Sequence, residues 1–359
     1  MERKIRVLNI VDELRRGGKE RQLVELLKGI DRNKFEMYAI SLLPREDGYD
    51  EEAKSLVQKF CYFNRKYKWD LTLVYKLIRY CRNNKIDIVY SWDGMTSFYS
   101  LLASYFIKSV FVSGSIRDTD TRKSYKHTYK RVVLKLSKNI VANSYAGLKT
   151  YNVEKKGKVI YNGLDLKRFE NLNREKQDKF TIGIVANLTE YKDYFTFFRA
   201  IKLLSEKTND FEVHIIGWGK KAKEYQDFAE KLGIKGYLKY FGRVSDAEKY
   251  IINFDVGVLC SYKEKGEGLS NSVLEYMACG ITPIITDVGA AKEIIEDGVT
   301  GLLFEAGNAK DFAEKIYYLY KNKEIRNMIG SRAKEEVFKK FSYERFIKEI
   351  EIYYGEVTT

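Results

Sequence analysis

Proline, histidine and cysteine are scarce in this chain: two prolines, two histidines and four cysteines in 359 residues. With so little proline and no low-complexity tract, no disordered tail is expected. Cys61, Cys81, Cys260 and Cys279 are dispersed, without paired metal or redox spacing, and read as reduced cysteines of a cytoplasmic protein. Long hydrophobic runs are missing too. The stretch 101–107 stops at Lys108, far short of a membrane span. The apolar run 7–11 is too short for a signal peptide, and Asp12-Glu13 ends it. Gly-x-Gly-x-x-Gly opens neither half, which argues against a nicotinamide dinucleotide enzyme. Clustered His, Cys, Asp and Glu ligands are lacking, so no metal is expected to be required.

Acid is absent from one long segment. The net charge is +14. Residues 1–160 carry 33 Lys and Arg against 18 Asp and Glu; the remainder carries 31 against 32. Between residues 121 and 153 stand eight bases (Arg122, Lys123, Lys126, Lys130, Arg131, Lys135, Lys138, Lys149) and no acid. Tyr125, Tyr129, Val132, Val133 and Leu136 recur there at helical spacing. A basic amphipathic helix points to an anionic membrane surface. A solvated helix face is the plain alternative. Nucleic acid is the third, and no nucleic-acid-binding motif accompanies the patch.

The ordinary apolar content and the length fit about two domains. Ile5-Arg6-Val7-Leu8-Asn9-Ile10-Val11 reads as a strand, followed by Arg15-Arg16-Gly17-Gly18 and a helix through Leu23, Leu26, Leu27 and Ile30. Phe180-Thr181-Ile182-Gly183-Ile184-Val185 repeats that opening, with a polar loop ending in Lys192-Asp193 and a helix through Phe197, Ala200, Ile201 and Leu204. Strand-like runs alternate with helical ones in both halves, at 86–91, 110–113, 139–143 and 158–161, then at 211–216, 238–241, 255–260 and 282–286. The pattern predicts two Rossmann-like, doubly wound α/β domains facing each other across a cleft. The expected division is 1–165, a linker at 166–179, 180–340, and a last helix at 341–359.

The richest stretch is Gly266-Glu267-Gly268-Leu269-Ser270-Asn271-Ser272-Val273-Leu274-Glu275. It puts two carboxylates eight positions apart on a strand–loop–helix edge, where open parallel sheets bind ligands. Ser270, Asn271 and Ser272 are good N-caps, so orphan N–H groups and a helix dipole point out of the loop. Amides can take a phosphate, and carboxylates can accept from sugar hydroxyls. The alternative is structural: Ser272-x-x-Glu275 has capping-box spacing, and Glu267 could be a solvated loop acid.

The motifs, taken in order, resemble those of the family 4 glycosyltransferases of group 1, which are retaining nucleotide-sugar enzymes of the GT-B fold. The resemblance runs over nearly the whole chain. It rests on Gly17-Gly18-Lys19-Glu20, Ala142-Asn143-Ser144, Tyr161-Asn162-Gly163-Leu164-Asp165 with Phe169, Val185-Ala186-Asn187-Leu188 with Lys192-Asp193, and Ile216-Gly217-Trp218-Gly219. It continues with Phe241-Gly242-Arg243-Val244, the Glu267-to-Glu275 spacing, Thr286-Asp287-Val288-Gly289 and Phe341-Ser342-Tyr343-Glu344, which leads into a helix crossing back to the first domain.

The resemblance implies a first domain that holds the acceptor and a second that holds the donor. Glu275 would bind the ribose hydroxyls. Glu267 would hold a hydroxyl of the transferred sugar, and the amides of Gly268, Leu269 and Ser270 would support sugar and pyrophosphate. Lys192 would neutralise the departing diphosphate, making Lys192 and Glu267 the catalytic pair. Gly17, Gly18, Asn187, Gly217, Arg243 and Val244 complete the donor set, the last two lying against the base through their backbone. Many members carry an arginine where Asn187 stands here, and a histidine near residues 88–90 where this chain has Ser91-Trp92-Asp93. Arg117 and Asp118 are the acceptor candidates; Asp118 and Asp120 otherwise read as loop acids. Of the histidines, His214 reads as a core residue and His127 as a surface one.

The function expected is transfer of a hexose or N-acetylhexosamine, with retained configuration, from a nucleotide sugar (a UDP-sugar by family frequency) to a glycan or lipid-linked glycan in surface polysaccharide or glycolipid synthesis. The expected location is the cytoplasm, peripheral at the inner face of the membrane. A nucleotide-sugar epimerase of the same fold and a non-catalytic sugar-nucleotide-binding subunit are the alternatives.

Overall fold

Runs that are apolar on both faces, such as Val7-Leu8 and Ile284-Ile285, form buried parallel strands covered by helices on either side. The computed structural model describes residues 3–67, 69–122, 125–175 and 178–358, and they divide into two compact units. The first runs to Arg117, resumes from Arg122 to Gly163 and closes from Tyr343 onward; the second holds 118–121 and 164–342.

The strands of the first unit are β1 (Ile5–Val11), β2 (Phe35–Ser41), β3 (Lys59–Tyr62), β4 (Ile88–Ser91) and β5 (Val110–Ile116). The three-residue β6 (Asp118–Asp120) belongs to the second unit; β7 (Asn139–Ala142) and β8 (Gly157–Val159) return to the first. Among the described residues they make a seven-stranded sheet in the order β3-β2-β1-β4-β5-β7-β8, all parallel. Helices α1 (Gly18–Gly29), α2 (Asp50–Ser55), α3 (Thr72–Asn84), α4 (Gly94–Ser104), α5 (Tyr125–Leu136) and α6 (Tyr145–Tyr151) connect them. Alternation along β1 splits the core. Val7 and Val11 pack with Leu23, Leu26 and Leu27 of α1, while Leu8 and Ile10 pack with Leu73, Leu77 and Tyr99 of α3 and α4.

The second unit continues with α7 (Tyr194–Ser205), α8 (Ala222–Lys231), α9 (Glu248–Ile251), α10 (Asn271–Ala278), α11 (Ala291–Ile294), α12 (Ala309–Lys321) and α13 (Lys323–Lys340). Its strands are β9 (Phe180–Val185), β10 (Phe211–Ile216), β11 (Leu238–Gly242), β12 (Val256–Leu259), β13 (Lys265–Glu267), β14 (Thr282–Thr286) and β15 (Leu302–Phe304). Six of them form a parallel sheet in the order β11-β10-β9-β12-β14-β15. Numbered within the unit this is 3-2-1-4-5-6, the doubly wound order whose switch point lies between the first and fourth strands. β13 stands apart and pairs antiparallel with β6.

The last helix, α14 (Tyr343–Thr358), is counted with the first unit. Phe346, Ile350, Tyr353 and Tyr354 enter the same core as α1, and the Tyr343 hydroxyl donates to the Glu25 carbonyl at 3.1 Å. Each large apolar side chain so buried contributes roughly 1.5–3 kcal/mol. The segment expected as a linker begins with a turn. Leu166–Phe169 forms a 3-10 turn, capped by Asp165 accepting from the Lys167 amide at 3.1 Å, and is counted with the second unit. Among the described residues no helix is long and apolar enough to cross a membrane.

Candidate active site

The switch point of the second unit lies between β9 and β12, and the loops leaving those strands bring Lys192 and Glu267 together. Lys192 precedes α7 and is fixed through its backbone. It forms an antiparallel bridge with Ser261, and the Asp193 amide donates to the Cys260 carbonyl at 3.0 Å. The Tyr225 hydroxyl reaches the Thr189 and Lys192 carbonyls at 2.9 and 3.1 Å. Asp193 caps α7, accepting from the Thr196 amide at 3.0 Å and the Thr196 hydroxyl at 2.7 Å. A lysine in a polar loop is ordinarily solvated; the Lys192 side chain is only 14% exposed, and its Nζ is in contact with Glu267 Oε1. Burial pulls the ammonium down, to about 7, while the carboxylate against it favours the charged form.

Glu267 ends β13. Its carbonyl accepts from the Ala290 amide at 3.1 Å and from the Thr119 hydroxyl at 3.3 Å, and its partner across the ribbon is Asp118. Beyond it, Glu267, Gly268, Ser270, Ser261 and Thr286 line a small cavity closed by Leu259 and Ile285. Ser270 occupies the N-cap position of α10 but makes no side-chain cap bond, so the first-turn amides and the helix dipole point at whatever occupies the loop.

Glu275 lies in the second turn of α10 and is buried. With the N-cap at Ser270, Ser272 and Glu275 are out of register for a capping box, so that alternative falls. Arg168, on the 3-10 turn, faces Glu275 instead: Nη1 stands 3.8 Å from Glu275 Oε1, and Nη2 lies 2.7 Å from Glu248 Oε2. Sequence reasoning missed Arg168 because it sat inside an apparent linker. The buried Glu248 offered no signal either.

The remaining donor candidates frame the same edge. Gly217 has φ +137°, and its amide donates to the Gly242 carbonyl at 2.7 Å. A Cβ there would collide with the Ala186 carbonyl, and one at Gly219 with the Leu188 carbonyl; glycine is what lets this loop lie against the loop after β9. Asn187 on that loop is exposed, as is Arg243 after β11. Val244 packs toward a core cluster containing Ile216, Ile251 and Phe254.

In the first unit, Gly17 is the extended N-cap of α1, and Gly18 opens the helix. A Cβ at Gly17 would stand 2.6 Å from a Glu20 carboxylate oxygen. Lys19 pairs with Glu20 at 3.2 Å and with Asp93 at 3.6 Å. Asp93 caps α4 through the Thr96 amide at 3.0 Å and accepts from the Asp12 amide at 2.8 Å. Burial, then the nearby Asp93, pushes the Asp12 carboxyl up, although Arg65 lies 2.7 Å from it. Asp12, Lys19 and Asp93 line a polar cavity at the switch point between β1 and β4, with Arg15, Arg65 and Tyr129 on its wall. The sequence pointed instead to Arg117 and Asp118, and the structure parts them. Arg117 stays in the first unit, its guanidinium 4.8 Å over the Trp92 ring and donating to Asn162 Oδ1 at 3.0 Å. Asp118 belongs to the second unit, on a strand rather than in a loop. His214 is a core residue, 2.5 Å from Glu212 Oε1, its pKa lowered by burial. The side chain of His127 lies outside the described residues.

Residues 16–168 match the model of Glycosyltransferase Family 4, and residues 167–336 match that of Glycosyl transferases group 1. The chain belongs to the family 4, group 1 glycosyltransferases. Among its curated relatives within that family is the "Putative glycosyltransferase EpsD" of Bacillus subtilis, 31% identical over 52% of this chain and 48% of that protein. Another is the "Lipopolysaccharide core biosynthesis glycosyltransferase LpsE" of Rhizobium meliloti, 24% identical over 91% of this chain and 93% of that one. The chain spans about half the length of the first of these relatives. The solved structure of Anabaena Alr3699/HepE in complex with UDP-glucose superposes with a TM-score of 0.84 over 98% of this chain and all of that one, at 18% identity. That likeness is one of fold: the chain has two Rossmann-like units, as GT-B proteins do.

Proposed function

We propose that the chain is a retaining glycosyltransferase that moves a hexose or N-acetylhexosamine from a nucleoside diphosphate sugar, foremost a UDP-sugar, to a glycan or lipid-linked glycan. The observation that carries this reading is the contact of Lys192 with Glu267 at the switch point, with Glu275 on the helix that follows. As the sugar leaves, negative charge grows on the diphosphate and positive charge on the anomeric carbon. Lys192 and the first-turn amides of α10 neutralise the former; Glu267 holds a hydroxyl of the sugar; Glu275 accepts from the ribose. This set supplies the charge a diphosphate needs, so the transfer proceeds without a metal.

Relatives' names support the setting. One is a capsular polysaccharide glycosyltransferase of Staphylococcus aureus, and another acts on a diphospho-undecaprenol-linked sugar in Campylobacter jejuni. A peripheral position at the inner membrane face fits the exposed side of α5. There Val132 and Leu136 are exposed, with Arg131 and Lys135 beside them. The polar cavity of the first unit is the place for the acceptor.

Incubation with isotope-labelled UDP-, GDP- and ADP-sugars tests the reading. Transfer, or slow hydrolysis releasing the α-anomer from an α-linked donor, is expected. Isomerised donor would establish the epimerase, and binding without turnover the non-catalytic subunit.

A further inference from the structure

The strand that carries Glu267 is not held by the sheet of its own unit. β13 has no ladder with β12 or β14; it pairs with β6, three residues that follow Arg117 of the first unit directly in sequence. Glu267 is opposite Asp118, and Gly266 is opposite Thr119. The Thr121 amide extends the ribbon by donating to the Glu264 carbonyl at 3.1 Å.

Thr119 sits at the centre of this junction and is 5% exposed. Its hydroxyl donates to the Glu267 carbonyl and lies against the backbones of Gly266 and Gly289, where a Cβ on either glycine would strike it. Gly289 has φ +59°, a left-handed turn that presents the Ala290 amide to the same Glu267 carbonyl at 3.1 Å. Thr119 and Ala290 therefore pin one carbonyl from two sides, and that carbonyl belongs to the residue whose carboxylate meets Lys192.

We propose that Thr119 is a positioning residue for the Glu267–Lys192 pair, and that Asp118-Thr119-Asp120 is a donor-side element although it lies among first-domain sequence. The inference rests on the functional reading above for the role of the pair, but not for the placement of Thr119. Small displacements of a catalytic group cost far more in turnover than in ground-state binding, up to about 100-fold for about 1 Å. Nucleotide affinity rests mainly on Glu275 and α10, which Thr119 does not touch in any contact described, and in smaller part on the charge of Lys192, which substitution of Thr119 leaves in place.

The test uses the full chain and the variants Thr119→Val and Thr119→Ser, with Thr119→Ala in place of valine if Thr119→Val does not fold. Turnover of the preferred donor should fall about 10-fold or more in Thr119→Val, UDP affinity should stay within about twofold, and Thr119→Ser should recover most of the turnover. A second readout needs no donor: acylation of Lys192 by an amine-reactive ester, followed by mass spectrometry. Release of Glu267 should make Lys192 label several-fold faster in Thr119→Val while other lysines keep their rates. Unchanged Lys192 labelling overturns the proposal whether or not a donor is found. So does loss of UDP affinity in step with turnover and melting temperature, which would make Thr119 merely structural. A wild type inert toward every nucleotide sugar, but with Lys192 labelling that responds to Thr119, counts against the glycosyltransferase reading alone.

Discussion

Arg168 stands 3.8 Å from the carboxylate of Glu275 and holds Glu248 more tightly, at 2.7 Å. Two buried carboxylates thus share one cation. The arginine lies against one side of Glu275, whose carboxylate oxygens are the acceptors a hydroxyl would use. Glu275→Ala should weaken nucleoside diphosphate binding by roughly 1.5–3 kcal/mol, about 10- to 150-fold, the range for hydrogen bonds to a charged group. Arg168→Ala should also weaken it, because the two carboxylates then lose the cation they share. Calorimetric titration with UDP checks both; equal affinity in wild type and Glu275→Ala would remove Glu275 from the site.

Lys192 should matter for turnover more than for binding, since its charge counts most as the diphosphate departs. Lys192→Ala should lower turnover by roughly 100-fold or more with a smaller loss of donor affinity. Initial rates over a range of donor concentration separate the two effects. Unchanged turnover would assign the diphosphate to another base.

The same lysine gives a pH dependence whose sign is fixed. Burial lowers its pKa in the folded chain to about 7, against about 10.4 in an unfolded one. Between those values the unfolded state binds more protons, so this group makes stability rise with pH across the window. Diphosphate binding runs the other way, because the bound anion needs the ammonium and a proton must be taken up. UDP affinity should fall as pH rises above about 7, by up to about tenfold per unit, and the carboxylate of Glu267 shifts the onset upward. Calorimetry in buffers of different ionisation heat should show proton uptake in the wild type and none in Lys192→Met.

Much of this was legible in the chain because parallel strands buried on both faces write themselves as short apolar runs, and each is punctuated by a turn. Gly217, Gly242 and the Glu267-to-Glu275 spacing were visible for a similar reason: glycines and acids stand out against such runs. Arg168 and Thr119 were not visible. Each acts through a partner far away in sequence, 107 positions in one case and 148 in the other. Nothing local distinguishes an ion-paired linker arginine from a solvated one. The Asp118-Thr119-Asp120 segment misled for the same reason: its alternating acids describe a loop until β13 is laid beside it. Lys130 illustrates the converse error. Helical spacing put it on the basic face, but its ammonium lies 4.4 Å over the Tyr151 ring, and the residue is buried.

Chelator should leave transfer intact. On the proposed reading, Lys192 beside Glu267 and the amides at the start of α10 would supply the charge a divalent ion brings. Loss of transfer in excess chelator, restored by magnesium or manganese, would refute this.

The exposed side of α5 predicts a salt-sensitive affinity for anionic bilayers. Val132 and Leu136, one turn apart, are exposed, Arg131 and Lys135 flank them, and Lys138 and Lys149 are exposed nearby in sequence. Lys123, and the side chain of Lys126, lie outside the described residues; Lys130 is spoken for by Tyr151. Lys156 caps the far end of the helix, its Nζ donating to the carbonyls of Leu134, Lys135 and Ser137 at 2.6–2.8 Å. Each base near an anionic leaflet contributes about 1 kcal/mol, screened over about 8 Å at physiological salt. Vesicles containing phosphatidylglycerol should bind the chain at low salt and release it steeply as salt rises, while neutral vesicles bind little. Replacing Arg131, Lys135, Lys138 and Lys149 together by Gln should abolish sedimentation with anionic vesicles and leave turnover on a soluble acceptor unchanged. Replacing Val132 and Leu136 by Ser should weaken binding without changing its salt slope, since the apolar pair carries no charge. Equal partitioning of wild type and the fourfold variant would reduce α5 to a solvated helix face.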